Sequence, residues 1–212
     1  MPETISDLIP AELVHRMEQG GKDPVLRGLL IHLLSDRLKA VGLDWPTPFP
    51  VPPPGSEPPN HIRLFLTLTQ RFEAIADGGV AIDPSIEEFS QNWDHEASDF
   101  IRVCCTVLHD SSSSPSQQQQ KEKCFDLLWY TESDQWVLDP MRLTVGRLVA
   151  LFAFFRHLAA AEIRRGNRDV VVCAITWLSA FLEHFCPAFI ATLNDARLQS
   201  IADLLEAMHM EP

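Results

Sequence analysis

The chain has 212 residues, 46 % of them hydrophobic and 22 % charged, which suits one soluble globular domain with a proper core. Its net charge of −12, without a Lys/Arg cluster, argues against nucleic acid or an anionic membrane surface as primary partner. Five cysteines, an odd number set mostly in apolar surroundings, point to buried thiols in a reducing compartment rather than to a disulfide framework.

Helix signals run the length of the chain and hairpin signals are missing. A short helix is predicted over 10–18, stopped by Gly20-Gly21. Asp23-Pro24 then offers an N-cap and a proline at the first helical position, where its missing N–H costs nothing. The helix that follows carries Leu26, Leu29, Leu30, Leu33, Leu34, Leu38 and Val41 as one broad stripe, and Gly42 ends it. Eight prolines between Pro46 and Pro59 rule out a helix from Trp45 to His61, so 44–61 is predicted as an extended proline-rich loop. Beyond it Leu64, Leu68, Phe72 and Ile75 share one helix face, closed by Gly78-Gly79.

Asp83-Pro84 restarts a short helix with Ile86, Phe89 and Trp93. An amphipathic helix over 95–109 is expected to turn Phe100, Val103, Cys104, Val107 and Leu108 inward. Serines and glutamines make residues 110–124 read as a disordered insertion, and 124–138 fit either a short helix or an irregular packed loop. Asp139-Pro140 repeats the cap-plus-proline start and launches the two most apolar helices of the chain. In the first, Leu148 to Phe155 are all apolar and leave no face for water. The second begins at Val170, after the polar knuckle Arg164-Arg165-Gly166-Asn167-Arg168-Asp169, and Pro187 should end or kink it. Arg147 and Arg156 inside the first speak against a membrane span, so the pair reads as a buried hairpin. Residues 197–208 form a last amphipathic helix with Leu198, Ile201, Leu204 and Leu205 inward. The predicted fold is all-α, about eight helices around a buried central hairpin, in one domain over 1–212.

Motifs for catalysis are missing: there is no glycine-rich phosphate loop, no Gly-x-Ser-x-Gly elbow and no His-Glu-x-x-His pair. Cys104-Cys105 with His109, or His184 with Cys186, lack the spacing of zinc ligands. No enzyme, metal or cofactor is implied. The N-terminus carries neither a basic region nor an apolar run, so no signal peptide is expected, and any C-terminal membrane anchor would lie outside this sequence.

Gly146-Arg147-Leu148-Val149-Ala150-Leu151-Phe152-Ala153-Phe154 resembles the first homology motif of the Bcl-2 family of apoptosis regulators, with Thr144-Val145 in place of the usual Asn-Trp. Trp177 to Ile190 is similar to the second motif through Phe181-Leu182 and Phe189-Ile190, although Asn194-Asp195 replaces the usual Gly-Gly-Trp. Leu68, Phe72, Ile75, Ala76 and Asp77 resemble the third motif (BH-3), with Phe72 for its usual Leu and Gly79 at its last apolar position. The order of these motifs and the proline-rich connector look most like invertebrate pro-survival members.

The resemblance implies a Bcl-2-like bundle whose surface groove accepts an amphipathic BH-3 helix of another family protein. Phe72, Ile75, Val103, Val107, Val149, Ala150 and Phe154 would line it. Gly146 would let the partner backbone approach, and Arg147 would pair with the partner's aspartate. Read on their own, Phe72, Val103 and Phe154 also fit a plain core, Arg147 a rim arginine, and Gly146 a helix–helix contact. The resemblance further implies residence in the cytosol and on the cytoplasmic face of the outer mitochondrial membrane, and homo- or hetero-dimers. Three functions stay open: a pro-survival regulator, favoured by the altered BH-3 match; a Bak/Bax-like pore-former of the outer mitochondrial membrane; and a helical scaffold unrelated to cell death.

Overall fold

The computed structural model describes residues 11–49, 59–77, 89–108, 128–130, 136–138 and 144–193. They form α1 (Ala11–Gln19), α2 (Pro24–Ala40), α3 (Asn60–Asp77), α4 (Ala97–Leu108), β1 (Leu128–Tyr130), β2 (Trp136–Leu138), α5 (Val145–Arg165), α6 (Arg168–Phe185) and α7 (Pro187–Leu193). Residues 89–92 add one helical turn ahead of α4. The architecture is an all-α helical bundle that carries one small antiparallel ribbon. The expected helix at 197–208 and the insertion at 110–124 lie outside the described residues.

Local chemistry sets the helix ends. Asp23 Oδ1 accepts the N–H groups of Val25 and Leu26 at 2.8 and 2.9 Å, and Pro24 opens α2. Thr144 caps α5 through its hydroxyl. At the far end of α5, Gly166 takes φ +87°, its N–H reaches Ile163 O, and the N–H of Asn167 reaches Glu162 O. That double closure needs a left-handed residue, so glycine breaks the long apolar run into two helices at the predicted knuckle. Pro187 ends α6 and begins α7, with Cys186 as the joint.

The hairpin α5–α6 lies at the centre. α2, α3 and α4 pack on α5, while α1, α2, α4, α7 and β2 pack on α6. Burial along α5 runs from Leu148 to Ile163 with Ala150 alone half-buried, close to the expected absence of a wet face. α2 is more than the single stripe its leucines suggested: Ile31 is buried beside them, and the helix touches both members of the central pair. Phe65 of α3, Phe152 of α5 and Phe189 of α7 form a ring triangle with centroids 5.7, 5.4 and 6.0 Å apart. Two of its three contacts are edge-to-face, the arrangement that ring quadrupoles prefer.

Four expectations are corrected. The proline-rich loop ends before His61, because α3 starts at Asn60 as soon as Pro59, the last proline, can lend its carbonyl to Arg63 N–H. Residues 128–130 and 136–138 are paired antiparallel strands, not a helix or an irregular loop, with Leu128↔Leu138, Trp129↔Val137 and Tyr130↔Trp136 in register. Aromatic and β-branched residues suit cross-strand pairing, but no Asn-Gly or Asp-Gly joins the strands, which is why no hairpin signal showed. Cys173 is exposed, unlike Cys104, Cys105 and Cys186, because α6 turns residues 168, 169 and 173 to water. In α4 the inward face centres on Phe100, Ile101, Cys104, Cys105 and Leu108, which leaves Val103 and Val107 half-buried on its shoulder.

The turn between α1 and α2 lies hard against α6. A Cβ on Gly21 would stand 2.5 Å from Ser179 Cβ, 2.6 Å from the Ser179 carbonyl carbon and 2.6 Å from Glu183 Oε1. Glu183 Oε1 in turn accepts the N–H of Asp23 at 2.6 Å. Gly21→Ala is therefore expected to lower stability by about 1–3 kcal/mol through overpacking against backbone. Gly28→Ala, in the interior of α2 with nothing within 4 Å of the added carbon, is expected to be neutral or stabilising. Urea unfolding of the two variants checks the pair, and equal effects would refute the close approach at Gly21.

Candidate functional site

The cap at Thr144 places Gly146 and Arg147 in the first turn of α5, and Thr144 Oγ1 accepts the Arg147 N–H at 3.3 Å. Gly146 is exposed and has ordinary helical backbone. Among the described residues, a Cβ there would meet only Thr144 Oγ1, at 3.8 Å. Among the described residues, neither a positive φ nor a neighbouring helix therefore calls for glycine at 146. Arg147 is half-buried at the surface beside it.

The other predicted groove residues fall into two sets. Val149 and Phe154 belong to the core, Phe154 only just at 9 % exposed, while Ala150 is half-buried. Phe72 on α3 and Val103 and Val107 on α4 are half-buried and packed against the core's edge. Ile75, Ala76 and Asp77 form the last turn of α3; the placement of their side chains lies outside the described residues, as does Gly79. α3 and α4 both rest on α5 without an extensive interface with each other. The half-buried apolar positions thus sit on three helices, two of which, α3 and α4, pack on the third, α5.

On α3 the face that goes deepest is Ile62, Phe65, Thr69 and Glu73, one step round from the stripe of Leu64, Leu68 and Phe72. The reason is a charge. Arg156, at 1 % exposed, donates to Asp36 of α2 at 2.6 Å and lies 3.3 Å from Glu73 of α3. Its neighbour His157 faces Glu73 at 3.4 Å, and its Nδ1 lies 3.2 Å from Arg37 of α2. Burial lowers the pKa of Arg156, opposed chiefly by Glu73 and then Asp36. This knot clamps α3 to α2 and α5.

A second buried carboxylate, Glu162 at 1 % exposed, collects donors at the other end of α5. Ser90 Oγ, Trp93 Nε1 at 3.2 Å and Asn167 Nδ2 at 2.8 Å all reach it, with Arg165 at 3.5 Å. Arg165 also donates to Ser90 Oγ, and His95, at φ +57°, puts Nε2 3.5 Å from Glu162. Sequence reasoning missed both knots. The available signal was three ionisable residues, Arg156, His157 and Glu162, inside an otherwise apolar helix, where buried charge demands partners.

Among the described residues no three His, Cys, Asp or Glu side chains gather as a metal set, and no helix is long and apolar enough to cross a membrane. Comparison with known protein families, with curated proteins and with solved structures finds no match.

Two outcomes follow from these charges. Arg156→Met strands Glu73 in the interior and is expected to cost about 3–5 kcal/mol. Adding Glu73→Leu should restore a large part of that, measured as a double-mutant cycle in urea; additive losses would refute the coupling. The second outcome concerns acid. Burial lowers the pKa of His32, His61 and His184, the last also through Arg16. Each group's folded value lies below its unfolded one near 6.5, so the unfolded chain binds more protons in that window. Stability is then fully present above about pH 6.5 and lost as pH falls through the folded values. Urea midpoints at pH 7.5, 6.0 and 5.0 should decrease in that order, and a flat profile would contradict it.

Proposed function

We propose that the chain is a regulator of apoptosis of the Bcl-2 kind, which captures the BH-3 helix of a pro-apoptotic partner along the start of α5 and acts in favour of survival. The observation that carries this reading is Gly146. It is a glycine in the first turn of a helix, with ordinary helical backbone, and no described part of the chain uses the space it leaves. A helix laid from outside across that turn would use it. Arg147 stands at the same turn to take an aspartate from the incoming helix, a charge-assisted contact that fixes register. Phe72 on α3, Val103 and Val107 on α4 and Ala150 on α5, all half-buried, are the kind of apolar edge that a helix-in-groove complex covers.

The motifs of the sequence give this reading its family, and the all-α bundle around a buried hairpin is the architecture it needs. A pore-forming role for α5 and α6 would carry Arg156, His157 and Glu162 into hydrocarbon, where each is expensive. Capture of a helix leaves both charged knots intact. On this reading the protein works in the cytosol and at the cytoplasmic face of the outer mitochondrial membrane.

A labelled BH-3 peptide titrated into the protein is expected to bind at submicromolar affinity. Arg147→Ala should weaken it about tenfold, equivalent to about 1.4 kcal/mol, and Gly146→Arg should abolish it. An absence of binding by calorimetry would remove the family reading. Robust dye release from liposomes of outer-membrane lipids on peptide addition would reverse the pro-survival assignment.

A further inference from the structure

Phe89 lies half-buried on the turn 89–92, its ring 5.8 Å from that of Phe154 on α5 and 5.4 Å from that of Trp93. The turn is fastened by groups other than Phe89 itself. Ser90 and Trp93 both donate to Glu162 Oε1, and Arg165 donates to Ser90. A buried carboxylate with this many donors holds its surroundings in one arrangement. Phe89 is thus a fixed cover on Phe154, the member of the proposed groove set that stands at the threshold of burial.

Position along α5 gives this cover a meaning. Phe154 comes seven residues after Arg147, about two turns or ~10 Å at 1.5 Å per residue. A partner helix that sets its acid on Arg147 and runs along α5 presents a second side chain about two turns away, where the Phe89 ring already fills space.

We propose that Phe89 is a size filter for that side chain. The protein selects amphipathic helices with a small residue, glycine, alanine or serine, about two turns from the acid that meets Arg147. It rejects those with a bulky apolar residue there. The filter rests on the groove reading above and goes beyond it by naming the class of partner accepted.

The test uses the whole chain and a peptide series with one fixed aspartate, in which each apolar position one to two turns away is made alanine or phenylalanine in turn. Wild type is expected to prefer alanine over phenylalanine by about tenfold at one of these positions, the scale of a pocket that gains or loses a few carbons. Phe89→Ala should abolish or invert that preference, and Phe89→Leu should fall between, each with a cooperative melt that shows it folded. A change in preference separates filtering from a merely structural role, which would lower affinity for all peptides alike. If wild type binds the series and the preference is the same in Phe89→Ala, the filter is refuted and the groove stands. If wild type binds none of the peptides, groove and filter fall together.

Discussion

A guanidinium in the middle of the most deeply buried helix governs how this bundle can close. Arg156 cannot reach water, so charges must come to it, and they come from two different helices: Asp36 of α2 and Glu73 of α3. An unpaired buried cation would cost more than most single contacts contribute, and that asymmetry makes the arrangement specific rather than merely stable. Once Asp36 and Glu73 are committed, α2 and α3 have fixed rotations about their axes. His157, between Glu73 and Arg37, completes a chain of contacts across all three helices.

The rotation of α3 is what gives the surface its character. Glu73 goes in, and Phe65 and Ile62 follow on the same face, one against the Phe152 and Phe189 rings. Leu64, Leu68 and Phe72 are then left on the flank, apolar but only half covered. α4 shows the same displacement, with Cys104 and Cys105 inside and Val103 and Val107 at the edge. α3 and α4, both seated on α5, thus each keep an apolar flank only half covered. On α3 this follows from where the buried charge sits, not from any lack of apolar residues.

Much of this was legible in the residues. Asp23-Pro24, Gly42, Gly166 and Pro187 set element ends by mechanisms that act within a few residues, and the unbroken run from Leu148 to Phe155 could only be central. What stayed hidden depended on partners far along the chain. Hydrophobic spacing placed Leu64, Leu68 and Phe72 on one face but could not say that a second face, with a glutamate in it, would go deeper. Gly20-Gly21 read as a helix stop, whereas Gly21 is also the one place where the α1–α2 turn can touch the Ser179 backbone. The ribbon at 128–138 was missed because its strands are short and the usual two-residue turn is absent. Of the candidate site, Gly146, Arg147, Val103 and Val107 emerged on the surface or its shoulder, while Val149 and Phe154 went inside.

The two buried carboxylates divide the labour along α5. Glu73 is brought to Arg156 and decides which flank of α3 faces out. Glu162 belongs to α5 itself and draws in the segment from Ser90 to His95, at the cost of a left-handed backbone at His95. One knot therefore orients α3 and the other holds the segment from Ser90 to His95 against α5. N-terminal to both knots lies a length of helix with small residues at Gly146 and Ala150, and no charge other than Arg147 from Val145 to Phe155. The buried charged contacts of α5 therefore fall in its C-terminal half, where they fix the neighbouring elements, and the N-terminal half is left to apolar packing.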